Sequence, residues 1–584
     1  MTTIDRFALP PFSGRLGSYL AVGLLQGLLL AVLQRAAYQR SESWYEAILL
    51  ALAMAVVFVG VGWQLLSGRD DRPVPYLGLA ALAAGAAAMT ALVVATQITN
   101  SPSSWFVSLF VIGFVGMVAL QCQALPGIRL IRADYAEVAA YAWHHALLLA
   151  LAGAVTGLFF MFVEISASLF DQIGIDMVRA IVASDFFTYP ASSAAVAAGV
   201  WLGRRNSNVI ASVRVFAFAV CRGLLPLAAV VVLGFTATVL NQGMAVLWQT
   251  GRPTPILLTL IIFLGVMLNG VYEDGRTVPP YPVWLRRVVE ASLVAAVLLA
   301  AIACYSLALR IRQYGLMPDR FLGMIVAGFA LLYTMCAAWA VFRPGKTWLP
   351  PLGRSNIANA LLVCLVAVVI RTPWFNPEQV SAQDQLQRVL SGSAHRDTDA
   401  LYALKSQIGG AGERAYEQAK AEAAGTALPE ARRTALLAAI QRVEQPDFYP
   451  AVEDDDPDRP EKNYRIDWIG EPLADVSQFD PAELDEAYCG DDACVALSVD
   501  LDGDGQKEVL LTSSQNAYYA ADIYTRTPEG RYKYAGRMMI DRESSQDKSL
   551  VDLFKAGEIT TFERKYRSVD LGGTVLHPQG NNRR

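Results

Sequence analysis

From Leu16 to Ile370 the chain alternates long apolar runs with short polar breaks, and after about Thr372 that rhythm stops. A bilayer core about 30 Å thick needs roughly 20 apolar residues in a helix, because each residue adds about 1.5 Å. About eleven runs meet that length: Leu16 to Leu33, Ala47 to Leu66, Pro75 to Thr96, Trp105 to Leu125, Ala146 to Val163, Phe186 to Leu202, Leu224 to Leu240, Pro255 to Val271, Ala291 to Leu309, Phe321 to Phe342 and the shorter Ile357 to Ile370. Lipid offers the backbone no partner, so each run predicts a helix. The sequence therefore predicts an α-helical polytopic membrane bundle over residues 1–371. Trp44, Trp105, Trp201, Trp284 and Trp348 stand at run ends, where interfacial aromatics belong. Small residues from Ala80 to Ala88 would let helix backbones approach closely.

Composition agrees: the chain is 54% hydrophobic and 17% charged, below the ~25% charge of soluble domains. Arg6 and Arg15 precede the first run, as in a signal peptide, but no small-residue cleavage site follows, so the run is expected to stay as a helix. Basic residues in short breaks, among them Arg129, Arg132, Arg204, Arg205, Arg286 and Arg287, fall on one side if the N-terminus is cytoplasmic. With an odd span count the C-terminal part then lies outside the cytoplasm. A bacterial cell inner membrane, with the tail in the periplasm, is the expected setting.

The tail predicts a soluble α+β domain in three parts. Residues 372–450 read as a helical subdomain, with helices over Gln383 to Leu390, Asp399 to Ile408, Gly412 to Ala424 and Pro429 to Val443. Residues 451–463 hold the acidic stretch Glu453 to Asp458 and read as a solvated linker. Residues 464–584 alternate over Ala493 to Val499, Glu508 to Thr512, Ala517 to Thr525 and Tyr532 to Met538, and read as β-rich.

Candidate chemistry in the tail centres on Asp500-Leu501-Asp502-Gly503-Asp504-Gly505-Gln506-Lys507-Glu508. Carboxylates at alternate positions converge when the backbone turns, Gly505 permits a left-handed residue, and Ca²⁺ takes six to eight oxygens. Asp500, Asp502, Asp504 and Glu508, with the Gln506 carbonyl, form the candidate shell. The twelfth position is Leu511, which excludes an EF-hand. The strand–loop–strand setting resembles the calcium repeats of integrin-type propeller blades, in a single copy. A plain acidic β-turn is the other reading. Cys489 and Cys494 are the tail's one cysteine pair and suit a short disulfide-closed loop in an oxidising compartment, against two free thiols.

Elsewhere most signals dissolve on inspection. Ala340 to Thr347 has the spacing of a permissive phosphate-binding loop, but it starts in an apolar span and runs into Trp348-Leu349-Pro350-Pro351, so no nucleotide is expected. His144 and His145 point about 100° apart on a helix, unlike paired metal ligands, and are expected at the cytoplasmic interface. The net charge of −5 argues against nucleic acid. Ionisable residues near outer span ends are more informative: Glu164, Asp171, Asp176, Arg179 and Asp185 after the fifth run, Arg310, Arg312, Asp319 and Arg320 after the ninth, and Arg371 at the last. They either pair across an outward-facing polar pocket or snorkel into headgroups.

Arg312-Gln313-Tyr314-Gly315-Leu316-Met317-Pro318-Asp319-Arg320 is the most individual segment of the chain. With Asn269-Gly270-Val271-Tyr272-Glu273-Asp274-Gly275, Pro280-Tyr281-Pro282-Val283-Trp284-Leu285, Ser355-Asn356-Ile357 and Asn376-Pro377-Glu378-Gln379-Val380-Ser381-Ala382, it resembles a bacterial multi-pass membrane family catalogued as domain of unknown function 4153. The resemblance spans roughly Tyr141 to Gly410 and implies a membrane protein, with no activity and no functional residues to carry over. Three readings follow: a non-enzymatic envelope protein with a calcium-stabilised sensing or interaction domain, a transporter or channel past Glu164 and Arg310, or an enzyme on lipid-linked substrates. The lipid bilayer is the expected partner in each, and a periplasmic or envelope protein in the first.

Overall fold

Every apolar run becomes a helix. In the computed structural model, residues 12–38, 43–68, 75–95, 102–122, 133–173, 175, 177–244, 253–276, 281–345, 347–372, 374–426, 428–444, 465–469, 472–479, 484, 494–501, 505–512, 520–527, 530–539, 569–571 and 574–576 are described. The chain divides into two units, Met1–Phe448 and Tyr449–Arg584. The first opens with α1 (Leu16–Tyr38), α2 (Ser43–Leu66), α3 (Tyr76–Ala95), α4 (Pro102–Gln121), α5 (Tyr135–Gln172), a short α6 (Met177–Val182) and α7 (Asp185–Arg205). It continues with α8 (Ser207–Gln242), α9 (Pro253–Tyr272), α10 (Val283–Tyr314), α11 (Pro318–Val341) and α12 (Leu352–Val369). Among the described residues nine helices are long and apolar enough to cross a membrane, and α4 adds a shorter apolar stretch, Trp105–Gln121.

Three helices outrun the expected spans. α5, α8 and α10 have 38, 36 and 32 residues, or roughly 57, 54 and 48 Å against a ~30 Å hydrocarbon core. Their extra turns carry residues expected in loops or at the interface. α5 starts at Tyr135, where Asp134 caps it by accepting the Ala136 N–H at 3.2 Å. His144 and His145 are thus carried within the length of α5 and buried in the bundle, 9% and 1% exposed. Arg214 of α8 is buried as well and donates to the Ala140 carbonyl of α5 at 2.9 Å.

α7 is the helix that composition would least allow to face lipid, since Asp185, Arg204 and Arg205 fall within its 21 residues. It packs on α1 and α5 instead. Lipid tails are as apolar as leucine, so such contacts depend on close packing rather than on escape from water. Gly23 and Gly27 of α1 supply the clearance: a Cβ at Gly27 would collide with Pro190 Cα and the Tyr189 carbonyl, and one at Gly23 with the Ser193 carbonyl. Gly199 meets Ala152 of α5 in the same way. Arg204, expected in a cytoplasmic loop, turns inward and donates to the Gln64 carbonyl at 2.7 Å and the Tyr19 hydroxyl at 3.0 Å. It thereby satisfies a carbonyl in the last turn of α2.

The bundle has two principal apolar cores. α1 to α5 and α7 share one, and α8 to α11 with Trp348, Leu349 and Leu352 form the other. A small cluster around Ala119 and Ile357 marks where α4, α5 and α12 meet. Beyond Arg371, α13 (Pro377–Ser391), α14 (Asp397–Tyr402) with the π-helical turn Ala403–Gln407, α15 (Gly409–Ala424) and α16 (Glu430–Val443) close a helical layer around Val389, Leu401, Leu404, Ala419 and Leu436. α13 begins before Gln383 because Asn376 accepts the Glu378 N–H at 2.9 Å and Pro377 occupies the first turn.

The second unit holds a five-stranded sheet in the order β1 (Ile466–Ile469), β2 (Cys494–Val499), β3 (Glu508–Thr512), β4 (Ala520–Arg526), β5 (Tyr532–Met539). β1 runs parallel to β2 and the rest are antiparallel. Cys494, Ala496, Val509 and Leu511 bury one face, Val495, Leu497 and Leu510 the other. A separate hairpin pairs β6 (Val569–Leu571) with β7 (Thr574–Leu576).

If clearance holds α1 against α7, Gly27→Leu will lower the thermal midpoint of the detergent-purified protein by the equivalent of about 1–3 kcal/mol, the usual cost of overpacking. Gly17→Leu, where a Cβ meets nothing within 4 Å, will leave it nearly unchanged. Equal midpoints for the two variants would remove the packing argument.

Candidate functional site

Where α4, α5, α9, α11 and α12 approach one another, the bundle encloses a cleft of about 360 Å³. Its polar edge is a chain of neutral side chains. Gly265 admits the Tyr333 ring beside α9, at 3.1 Å from where a Cβ would sit. Asn269 Nδ2 donates to the Gly265 carbonyl at 2.9 Å and to the Tyr333 hydroxyl at 2.8 Å. A carbonyl can only accept, so Asn269 must turn its own Oδ1 the other way. Asn356 Nδ2 donates to that oxygen at 2.7 Å and to the Tyr135 hydroxyl at 3.1 Å. Both amide hydrogens of Asn356 are then used, and its Oδ1 is buried with no partner. One turn along the same face of α12, Asn359 Nδ2 is buried without a partner too.

The remaining walls are apolar: Phe114, Val115 and Val118 from α4, Val138, Ala139, Ala142 and Trp143 from α5, Ile357 and Ala360 from α12. Among the described residues no charged side chain lines the cleft. The arrangement can bind by hydrogen bond and apolar contact. Sequence reading quoted Asn269 and Asn356 without giving them a role and passed over Tyr135, Tyr333 and Asn359. The available signal was an amide inside an apolar run, which is costly unless partnered.

The neighbouring motif residues hold helix ends together. Tyr272 donates to the Leu349 carbonyl at 3.2 Å and accepts the Gly353 N–H at 3.1 Å. Glu273 pairs with Arg222, and Tyr281 donates to the Arg222 carbonyl at 2.7 Å. Burial pushes the Tyr281 phenol up to about 12, with Arg222 acting in the opposite sense, so it stays a donor near neutral pH. Glu290 gathers Arg286, Arg287 and the Trp348 indole at 2.9, 3.1 and 3.2 Å.

The segment from Arg312 to Arg320 is a docking turn. α10 ends at Gly315, whose φ of 81° is left-handed and whose missing Cβ leaves room for Gln385. From α13, Gln385 donates to the Tyr314 and Leu316 carbonyls at 3.1 and 3.3 Å, and Arg388 to those of Ile311 and Arg312, both at 3.2 Å. Asp384 accepts the Leu316 N–H at 2.7 Å and orients Arg388 at 2.8 Å. Carbonyls at the end of α10, of which that of Ile311 also accepts the Gly315 N–H, are thus met by a helix of the layer that follows α12.

The ionisable residues expected near outer span ends fall into separate groups. Asp171 pairs with Arg179 at 3.1 Å, Glu164 is exposed on α5, and Asp176 lies outside the described residues. Arg320 donates to the Gly315 carbonyl at 2.9 Å and lies over the Tyr314 ring, while Arg312 and Asp319 are exposed and Arg310 is half-buried. Arg371 is buried and donates to Ser108 of α4 at 3.1 Å. Burial holds its guanidinium below the usual arginine range, and the Glu378 carboxylate opposes that shift.

In the second unit the expected antiparallel strands are present: β2 and β3 pair in the register Val499↔Glu508, and Asp500, Leu501 and Gly505 to Lys507 are the described residues between them. Asp500 accepts the Gly505 N–H at 3.2 Å and Glu508 accepts the Leu501 N–H at 2.7 Å. Gly505 has a φ of 84°. The carboxylates at the two ends thus face the loop, and Gln506 lies between them. Asp502, Asp504 and Cys489 lie outside the described residues, and Cys494 opens β2 fully buried.

No curated protein and no solved structure matches the chain. Residues 53–411, from within α2 to the start of α15, match the model of the family described as Domain of unknown function (DUF4153), and the chain belongs to that family.

Proposed function

We propose that this protein is a non-enzymatic sensing or interaction protein of a bacterial inner membrane. In this reading the extramembrane layer is coupled to the bundle, and a calcium-stabilised sheet meets an envelope partner. The docking turn carries the reading. Four side-chain bonds from Gln385 and Arg388 to carbonyls at the end of α10 tie the helical layer to a membrane helix, so displacement of one is felt by the other. In the sheet, Asp500, Asp502, Asp504, Glu508 and the Gln506 carbonyl would hold Ca²⁺ across the β2–β3 loop, as its carboxylate ends and left-handed Gly505 allow. A Cys489–Cys494 disulfide would pin the approach to β2. With the N-terminus cytoplasmic, nine or eleven crossings both leave the C-terminal unit in the periplasm.

A second reading, transport, is favoured by the cleft between the helices. The outer polar residues of that reading would be Glu164, Asp171, Asp176, Arg310, Arg312, Asp319, Arg320 and Arg371, which lie in separate groups away from the cleft lining.

Three measurements test the first reading. Saturating Ca²⁺ should raise the melting of the purified full chain, by about 2.7 kcal/mol at a hundredfold excess over Kd, and Asp502→Ala should abolish the rise. An unchanged wild-type midpoint rules calcium out. Arg388→Met should speed hydrogen exchange over residues 377–443, since hydrogen bonds to charged groups are worth about 1.5–3 kcal/mol; unaltered exchange would deny the coupling. A cysteine introduced at Glu453 should react with an impermeant thiol reagent in spheroplasts, and protection there would reverse the orientation.

A further inference from the structure

The cleft is built unlike the rest of the bundle. It sits where the two helix groups meet, and its lining divides by chemistry: the amides of α9 and α12 join the Tyr135 and Tyr333 phenols in one hydrogen-bonded chain, while the other lining side chains of α4, α5 and α12 are largely apolar. We propose that it binds an uncharged amphiphile whose head offers both a hydrogen-bond donor and an acceptor, a hydroxyl or a carboxamide, with its apolar body along the α4–α5 wall. This goes beyond both readings above and holds whichever of them is right.

The chemistry of the head follows from the bonds already made. Hydrogen bonds fix Asn269 from the Gly265 carbonyl outward, and Asn269 in turn fixes Asn356, so the Asn356 Oδ1 left over is an acceptor. It calls for a donor on the ligand. The buried amide end of Asn359, on the same face of α12, has no partner to fix which way it turns, so it meets an acceptor with Nδ2 or a donor with Oδ1. A hydroxyl or carboxamide meets both. A carboxylate or ammonium does not, because the lining holds no opposite charge and an unpaired ion at that depth is costly. The body of the ligand follows from the walls. Val118 and Ala142 offer no hydrogen bond to a sugar or other polyol beyond the head, and Trp143 offers at most one, from its indole N–H. A volume of about 360 Å³ lies at the small end of the ~300–1,000 Å³ of small-molecule sites, enough for a head and a short apolar segment.

The test uses the full chain in lipid nanodiscs and a long-chain alcohol with a diazirine in its tail. A fatty acid of equal length with the same diazirine, compared at alkaline pH where its carboxylate is ionised, is the charged control. Saturable labelling is expected on peptides bearing Val138 to Trp143 and Ile357 to Ala360, about tenfold above the fatty acid, the ratio for one lost hydrogen bond. Asn359→Leu should cut alcohol labelling by a similar factor without lowering the melting temperature, since its amide nitrogen has no protein partner to lose. Ala360→Trp should block labelling by filling the cleft while every amide stays in place. Two arms separate the sources of such a ligand. A neutral lipid extracted from the purified chain at near one per molecule places the source in the bilayer. Displacement of the probe by water-soluble hexanamide, with no lipid extracted, places it in the aqueous phase. Unsaturable labelling, equal labelling by the fatty acid, or labelling unchanged in both variants would overturn the proposal.

Discussion

In hydrocarbon a polar group has no partner except another part of the protein, and the first unit of this chain is arranged around that constraint. Within a helix the backbone satisfies itself. At helix ends it does not, and those ends are where long-range bonds concentrate. Arg204 reaches from α7 to the Gln64 carbonyl near the end of α2. Tyr272 at the end of α9 bridges the Leu349 carbonyl and the Gly353 N–H beside α12. Gln385 and Arg388 reach from the extramembrane layer to the end of α10. Each bond serves a terminal backbone group and at the same time sets which helices are neighbours.

Between the ends, selection of neighbours passes to shape. Apolar side chains gain little by leaving lipid for one another, so helices meet where backbones can come close. α7 shows the consequence: α1 and α5 pack along it and Arg204 is buried, while Asp185 and Arg205 at its two ends stay exposed. The glycines at 23, 27 and 199 permit that packing. A poorly apolar helix is thereby held inside a bundle that its hydropathy alone would not admit.

Periodicity and length made the helices legible, and alternation made the strands legible, because both are local properties of the chain. The β2–β3 hairpin around Asp500 and Glu508 could be read for the same reason. Helix ends were misread at Tyr135 and Ser207, where charged or small residues continue a helix beyond its apolar run, and at Pro377, where the Asn376 cap starts the helix ahead of Gln383. Partnerships were not legible. Asn269 and Asn356 are 87 residues apart, Asn269 and Tyr333 64, and nothing local in either stretch says that the two meet. The most individual segment, Arg312 to Arg320, was noticed as a pattern, but its purpose depends on Asp384, Gln385 and Arg388 some seventy residues later.

The same constraint gives the cleft its meaning. A leucine has nearly the size of asparagine and belongs in a membrane helix. If stability alone governed position 359, an apolar residue would serve it better, because a buried amide nitrogen without a partner costs about 1–3 kcal/mol. Asn356 is different, since its Nδ2 ties α12 to α9 and α5, and its buried, unpaired acceptor is the remainder of a structural bond. The two asparagines one turn apart thus have separate causes: the first is required by the fold, while the second has no bond in the fold to explain it. What they share is a face that opens on an apolar wall. A group able to donate to one and accept from the other would complete a network that the protein's own side chains leave open.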